Sequence, residues 1–334
     1  MDDINALLAD HDQQHLESLA RQAHDLTRQY FGRAISLYTP LYLSNYCASH
    51  CTYCGFHSQH KIKRIKLSPD EIKAEMQAIA ATGVQNILLL TGESPQATPI
   101  KYLVQAIECA KPFFQGISLE IFPMTTEEYR TLYNAGAEGI TIYQETYDRT
   151  RYAQVHLSGQ KKDYTFRYEA PQRIAKAGMR QISLGALLGL GPLAEDLRAL
   201  YIHLRDLEKD FPGVEYSISF PRLRTINSKA FAAASIDDAT FVKILCLTRT
   251  VFPRIGINMS TRETATLRNH LLNLCVTRIS AGSKTSVGGY RAPQAASDPQ
   301  FDVADDRSTL QMIQYLKEHN FDPVFTDWRR ISNT

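Results

Sequence analysis

From about residue 40 onward the chain alternates between short apolar runs and longer stretches in which apolar residues recur at helical spacing. The first run, residues 41–45, is followed after a cysteine-bearing loop by a predicted helix over 69–82, with Ser68 as N-cap and Glu71 in its first turn. The pairing repeats as 86–90 with 100–111, 118–122 with 126–134, 139–143 with 166–177, and 181–187 with 194–209. Runs 213–220, 256–260 and 275–279, with helical patterns over 237–251, 264–274 and 307–319, complete the series. Eight strand–helix units in roughly 240 residues match an α/β fold of the (β/α)8 TIM-type barrel class. Periodicity alone leaves a doubly wound open sheet as the alternative. The barrel is favoured because polar or glycine-bearing clusters follow nearly every predicted strand, among them residues 47–54, Thr91-Gly92-Glu93, Gln144-Glu145-Thr146 and Thr261-Arg262-Glu263. Strand C-terminal ends are where barrel enzymes place their active sites. A helical pattern over 14–30 predicts an N-terminal helical extension, residues 1–39, ahead of a barrel with its C-terminal segment, residues 40–334.

Composition narrows the class only a little. Of 334 residues, 44% are hydrophobic and 22% charged, ordinary values for a globular chain. Thirty-seven Lys and Arg against 35 Asp and Glu leave a net charge of +2, interspersed, with no basic stripe for nucleic acid. The densest basic cluster, Lys61, Lys63, Arg64 and Lys66, reads as a solvated surface. The acidic, polar start is unlike a secretory signal. No eighteen-residue apolar stretch suggests a membrane span, so a cytoplasmic location is expected.

Cysteine placement changes the picture more. Cys109, Cys246 and Cys275 are scattered through apolar patterns and read as small core residues. Cys47, Cys51 and Cys54 form a C-x3-C-x2-C loop directly after the first predicted strand. Three thiolates around a four-iron cubane leave one iron open for a ligand. Zinc, closed by His50 or His57 as a fourth ligand, is the competing reading of the spacing alone.

The loop also fits C-x3-C-x-aromatic-C, with Tyr53 as the aromatic, and Thr91-Gly92-Glu93 resembles a Gly-Gly-Glu motif after a second strand. Both features resemble the radical S-adenosylmethionine (SAM) superfamily. The resemblance implies a 4Fe–4S cluster whose open iron chelates SAM, and reductive release of a 5′-deoxyadenosyl radical. Further blocks, Leu41-Tyr-Leu-Ser-Asn-Tyr-Cys47, Ile140-Thr-Ile-Tyr-Gln-Glu-Thr-Tyr147, Ser219-Phe-Pro-Arg-Leu223, Ser260-Thr-Arg-Glu263 and Ser280-Ala-Gly-Ser-Lys-Thr285, resemble the aromatic amino-acid lyases, above all the 2-iminoacetate synthase (tyrosine lyase) family of thiamine thiazole biosynthesis. That likeness implies L-tyrosine as substrate, 2-iminoacetate and 4-methylphenol as products, a flavodoxin or ferredoxin as reductant, and docking to thiazole synthase. A related lyase acting on another aromatic amino acid, or in hydrogenase-cofactor maturation, is the alternative. Since residues 276–334 carry no cysteine for a second cluster, the maturation branch is the less expected one. A noncatalytic zinc-binding protein is the alternative of another class.

The resemblance also implies site roles. Gly92 and Glu93 would hold the SAM ammonium, and Glu145 would reach its ribose or methionine moiety. Arg167, on a predicted helix with Arg173, would meet the SAM carboxylate. Arg262 would fix the substrate carboxylate, with Ser280 beside it. Each has a plainer reading: an exposed loop glutamate for Glu93, a dipole-satisfying helix start for Glu145, solvated helix arginines, an Arg262–Glu263 ion pair, and a backbone-satisfied serine.

Overall fold

Local signals set many of the element starts. Ser68 and Glu71 form a reciprocal capping box at the head of the helix Pro69–Ala80, and Thr125 with Glu128 repeats it on Thr126–Ala135. The computed structural model describes residues 12–223, 235–291 and 297–326, with Ile4 and Leu8. The rest of the predicted N-terminal extension before residue 12, and the final eight residues of the C-terminal segment, lie outside the described residues.

Eight parallel strands follow one another around the sheet: β1 Ala34–Ser44, β2 Asn86–Thr91, β3 Gly116–Glu120, β4 Gly139–Thr141, β5 Gln181–Gly185, β6 Glu215–Ser219, β7 Gly256–Met259 and β8 Arg278–Ser280. Ser36, Leu37 and Tyr38 of β1 pair with Arg278, Ile279 and Ser280 of β8, which closes the barrel and excludes the open sheet. The helices are α1 Gln13–Phe31, α2 Pro69–Ala80, α3 Ile100–Ala110, α4 Thr126–Ala135, α5 Arg149–Val155, α6 Tyr164–Tyr168, α7 Ala170–Lys176, α8 Leu193–Asp210, α9 Asp238–Val251, α10 Ala265–Leu272 and α11 Thr309–Glu318. The N-terminal helix α1 packs along α9 and is tied to the turn before β8 by Thr27 Oγ1 donating to Leu274 O at 3.0 Å.

Four differences from the sequence reading have physical causes. β1 begins at Ala34 rather than residue 41, so it straddles the expected boundary at 39/40; Pro40, which donates no ladder bond, hid the strand. The single helix expected over 166–177 is two, α6 and α7, because Pro171 falls at the start of the second and cannot continue the first. Helix α5, capped by Asp148, was not foreseen. The run at 275–279 yields a strand only from Arg278, since buried Cys275 and Val276 form the turn closing α10, both donating to Leu271 O. A short strand, Asp322–Val324, also pairs with the base of β1 at Ala34–Ser36.

Candidate active site

The end of β1 launches the cysteine loop. Its pairing with β2 slips between Tyr42 and Ser44, and such an irregularity re-aims the chain beyond it. Asn45, fully buried, then clamps the returning segment: its side chain donates to Lys63 O at 2.8 Å and accepts from Ile65 N at 2.7 Å. Arg64 donates to the carbonyls of Asn45, Phe56, His57 and His60 at 2.6–3.0 Å. The basic cluster is therefore only partly solvated. Loop carbonyls without ladder partners take up Arg64, and Lys66 donates to Ala97 O at 2.9 Å. His50–Cys51 forms a two-residue antiparallel ladder with His156–Ser158.

Cys47, Cys51 and Cys54 all line one cavity at the strand C-terminal ends. Burial first, then the Glu93 carboxylate, push the Cys47 thiol up to about 11. Metal binding would therefore displace protons. His50 and His57 do not complete a zinc tetrahedron: His57 stacks between His50 and His60 at 5.0 and 5.3 Å, and among the described residues no three His, Cys, Asp or Glu side chains converge as one ion requires. Tyr53 lines the same cavity, and its hydroxyl donates to His156 Nε2 at 2.8 Å.

Gly92 and Glu93 lie against this loop. Gly92 N donates to Ser44 O and Ala48 N to Glu93 O, and a Cβ at Gly92 would run into the carbonyl oxygen of Tyr46. Glu93 Oε1 accepts from Arg167 Nη1 at 2.7 Å, while Lys161 Nζ sits 2.7 Å from Glu145 Oε1 and 3.5 Å from Glu93 Oε1. All four side chains are nearly fully shielded. Burial pushes both carboxyls up, but the two cations overcome it and hold Glu93 and Glu145 below the ordinary carboxylate range. Glu145 is not a helix-start acid, since Asp148 caps α5. It sits at φ 73°, a left-handed backbone uncommon outside glycine, and bridges to Ala186 of the next strand's end. Arg167 is buried rather than solvated, its Nε donating to Tyr143 O at 2.6 Å. Arg173 instead pins the turn ahead of α4, its Nε donating to Met124 O at 2.8 Å.

Arg262 and Ser280 line the same cavity. Arg262 lies over the Phe301 ring at 3.5 Å, and Glu263 Oε1 accepts from Arg222 Nε at 3.0 Å. Ser280 is buried within hydrogen-bonding reach of the Tyr38 phenol. Two charged cavity residues carried no sequence signal. Lys161 sits in the 3₁₀ turn Gln160–Lys162 amid polar residues, and Glu120 ends an ordinary apolar strand.

The residues present fit a cubane and SAM. The donor set is three thiols without a fourth ligand among the described residues, which suits three irons and leaves one open. Beside it the Oε2 atom of Glu93 is buried with no partner among the described residues, an acceptor facing an ammonium-sized need.

A closed (β/α)8 barrel with a three-thiol loop beyond its first strand and a Gly-Glu turn beyond its second defines a radical SAM enzyme. The Radical SAM superfamily model matches residues 41–203, and the Biotin and Thiamin Synthesis associated domain matches 219–322. The chain is 38% identical over 328 residues to the 2-iminoacetate synthases of Salmonella typhimurium and Escherichia coli, covering 98% of this chain and 87% of each of theirs. It superposes on the FeFe-hydrogenase maturase HydG of Carboxydothermus hydrogenoformans with TM-score 0.89 at 33% identity, covering 96% of this chain and 74% of that one. The chain belongs to the 2-iminoacetate synthase family, and its cofactors are a 4Fe–4S cluster and SAM. No helix among the described residues is long and apolar enough to cross a membrane.

Proposed function

We propose that this chain cleaves the Cα–Cβ bond of L-tyrosine to 2-iminoacetate and 4-methylphenol, supplying the thiazole of thiamine. What supports it is one cavity holding the three thiols, the buried Glu93–Arg167–Lys161–Glu145 array and the Arg262 cation together.

Cys47, Cys51 and Cys54 would hold three irons of the cluster. When bound, the cluster and SAM supply a carbon-centred radical that removes one hydrogen atom from the substrate. Glu93, through its unpartnered oxygen, would accept from the SAM ammonium, and Gly92 keeps that turn close to the cysteine loop. Glu145 would reach the ribose or methionine moiety of SAM. Arg167 acts on SAM through Glu93, as a positioning residue, because its Nη1 and Nε are already bonded within the protein. Tyr53, fixed by His156, forms a wall of the pocket. Arg262, steadied on Phe301, takes the tyrosine carboxylate with Ser280 beside it. Selecting one hydrogen demands such fixed anchors. Electrons come from a flavodoxin or ferredoxin. Because 2-iminoacetate hydrolyses in water, thiazole synthase receives it by docking at the cavity mouth.

The test is anaerobic incubation of the reconstituted chain with SAM, dithionite and L-tyrosine. 4-Methylphenol should form in step with glyoxylate and ammonia, and its absence refutes the reading. Arg262→Ala should keep SAM binding and lose about 3 kcal/mol of tyrosine affinity, read by calorimetry.

A further inference from the structure

The cavity contains a carboxyl that none of these roles uses. Glu120 is the last residue of β3, in register between Leu90 of β2 and Thr141 of β4. Strand alternation turns Ser118 and Glu120 to the same face. Ser118 lines a small polar void lower in the barrel, and Glu120 lines the main cavity. Around it stand Tyr38 and Tyr42 from β1, Tyr143 and Glu145 beyond β4, and Arg262 beyond β7, with Lys161 and Arg167 also felt. Among the described residues no hydrogen bond or ion pair engages its side chain. Burial, and then the Glu145 carboxylate, push its carboxyl up to about 7.

A half-buried carboxyl that faces the cavity with no partner among the described residues is left for a ligand to satisfy. The groups already assigned to this end of the cavity recognise an anion and leave an amino acid's cation unread. We propose that Glu120 receives the α-ammonium of the substrate and takes one of its protons, so that Arg262 and Glu120 read the two charges of the zwitterion.

The inference rests on the tyrosine reading above, and its chemistry balances. The zwitterion gives one proton to the Glu120 carboxylate and becomes a neutral amine. Loss of one hydrogen atom and scission of Cα–Cβ leave the imine HN=CH–COO⁻ and a C7 radical fragment. That fragment takes one electron from the reductant and the proton held by Glu120, giving 4-methylphenol and restoring the carboxylate. A carboxyl that titrates near neutrality suits both transfers.

The experiment compares tyrosine with its desamino analogue, 3-(4-hydroxyphenyl)propionate, by calorimetry on the cluster- and SAM-loaded protein. Wild-type protein should bind tyrosine at least tenfold more tightly than the analogue. Glu120→Gln should bind the analogue as wild type does, which also reports an intact fold, while its preference for tyrosine falls to about twofold. In the same variant 5′-deoxyadenosine should still form and 4-methylphenol should drop at least tenfold. Glu120→Asp, which keeps the charge one methylene back, should recover part of both. Full discrimination and yield in Glu120→Gln overturn the assignment, as does a parallel loss of analogue affinity, which marks a structural role. Wild-type protein that makes no 4-methylphenol from tyrosine overturns the lyase reading, and this inference with it.

Discussion

Lys161 shows how much one side chain can carry in this cavity. It touches both Glu145 and Glu93 from a turn whose neighbours are polar, and burial alone would discharge it. Lys161→Met should strand the Glu145 carboxylate in a dry setting and cost on the order of 3–5 kcal/mol, read as a lower urea midpoint of the metal-free protein. The sign with pH follows from Glu145, whose carboxyl is held below its ordinary value. Its stabilising contribution is present above that ordinary value and is lost as pH falls through the folded one. The gap between variant and wild type should therefore be widest at neutral pH and close in acid. An equal gap at pH 7 and pH 3.5 would contradict this. That Cys47, Cys51, Cys54 and Glu93 meet at one cavity was legible in sequence, because each sits in a spacing or motif placed directly after a strand. Lys161 and Glu120 were not, because a lysine in a polar turn and a glutamate ending a strand acquire meaning only from residues far along the chain.

At the scale of elements, most helices could be read from their caps and most strands from short apolar runs bounded by turns. The failures cluster where proline or tertiary burial overrode the pattern, at Pro40, Pro171 and Cys275-Val276. The turn after β2 could be read as a motif but not as a joint. Its glycine packs against the carbonyl of Tyr46, so Gly92→Ala must push the cysteine loop away from Glu93. Iron content after anaerobic reconstitution should fall to less than half of wild type while the far-UV circular dichroism stays unchanged; a full iron complement would show that the loop gives way freely. Ser68→Ala serves as the contrast, since it removes only the capping bond to Glu71 N at the head of α2. It should lower stability by about 1 kcal/mol, read by urea titration, and leave iron content alone.

For the whole molecule, acid sensitivity should be traceable to histidine buried without charge. His203 of α8 is stacked on Tyr168 at 4.2 Å and bonded to Tyr147, and burial lowers it from 6.5 to about 4. Above pH 6.5 it is neutral in both states and contributes nothing; below that the unfolded chain binds the proton first, so stability falls as pH drops toward 4. From pH 7 to 5 this single residue should cost roughly 2 kcal/mol, and His203→Gln should recover most of that in urea titrations at the two pH values. The closure of the barrel through its first and last strands has a further consequence, for timing. Gln300, whose amide approaches Cys54 Sγ at 3.8 Å, stands 246 residues beyond it in the chain. At a synthesis rate of 5–20 residues per second, roughly 12–50 s separate the emergence of that thiol from the emergence of the segment that covers it. During that interval β8 has yet to seal against β1, so the nascent chain presents its three thiols bare to whatever iron–sulfur carrier, or oxidant, reaches the ribosome first.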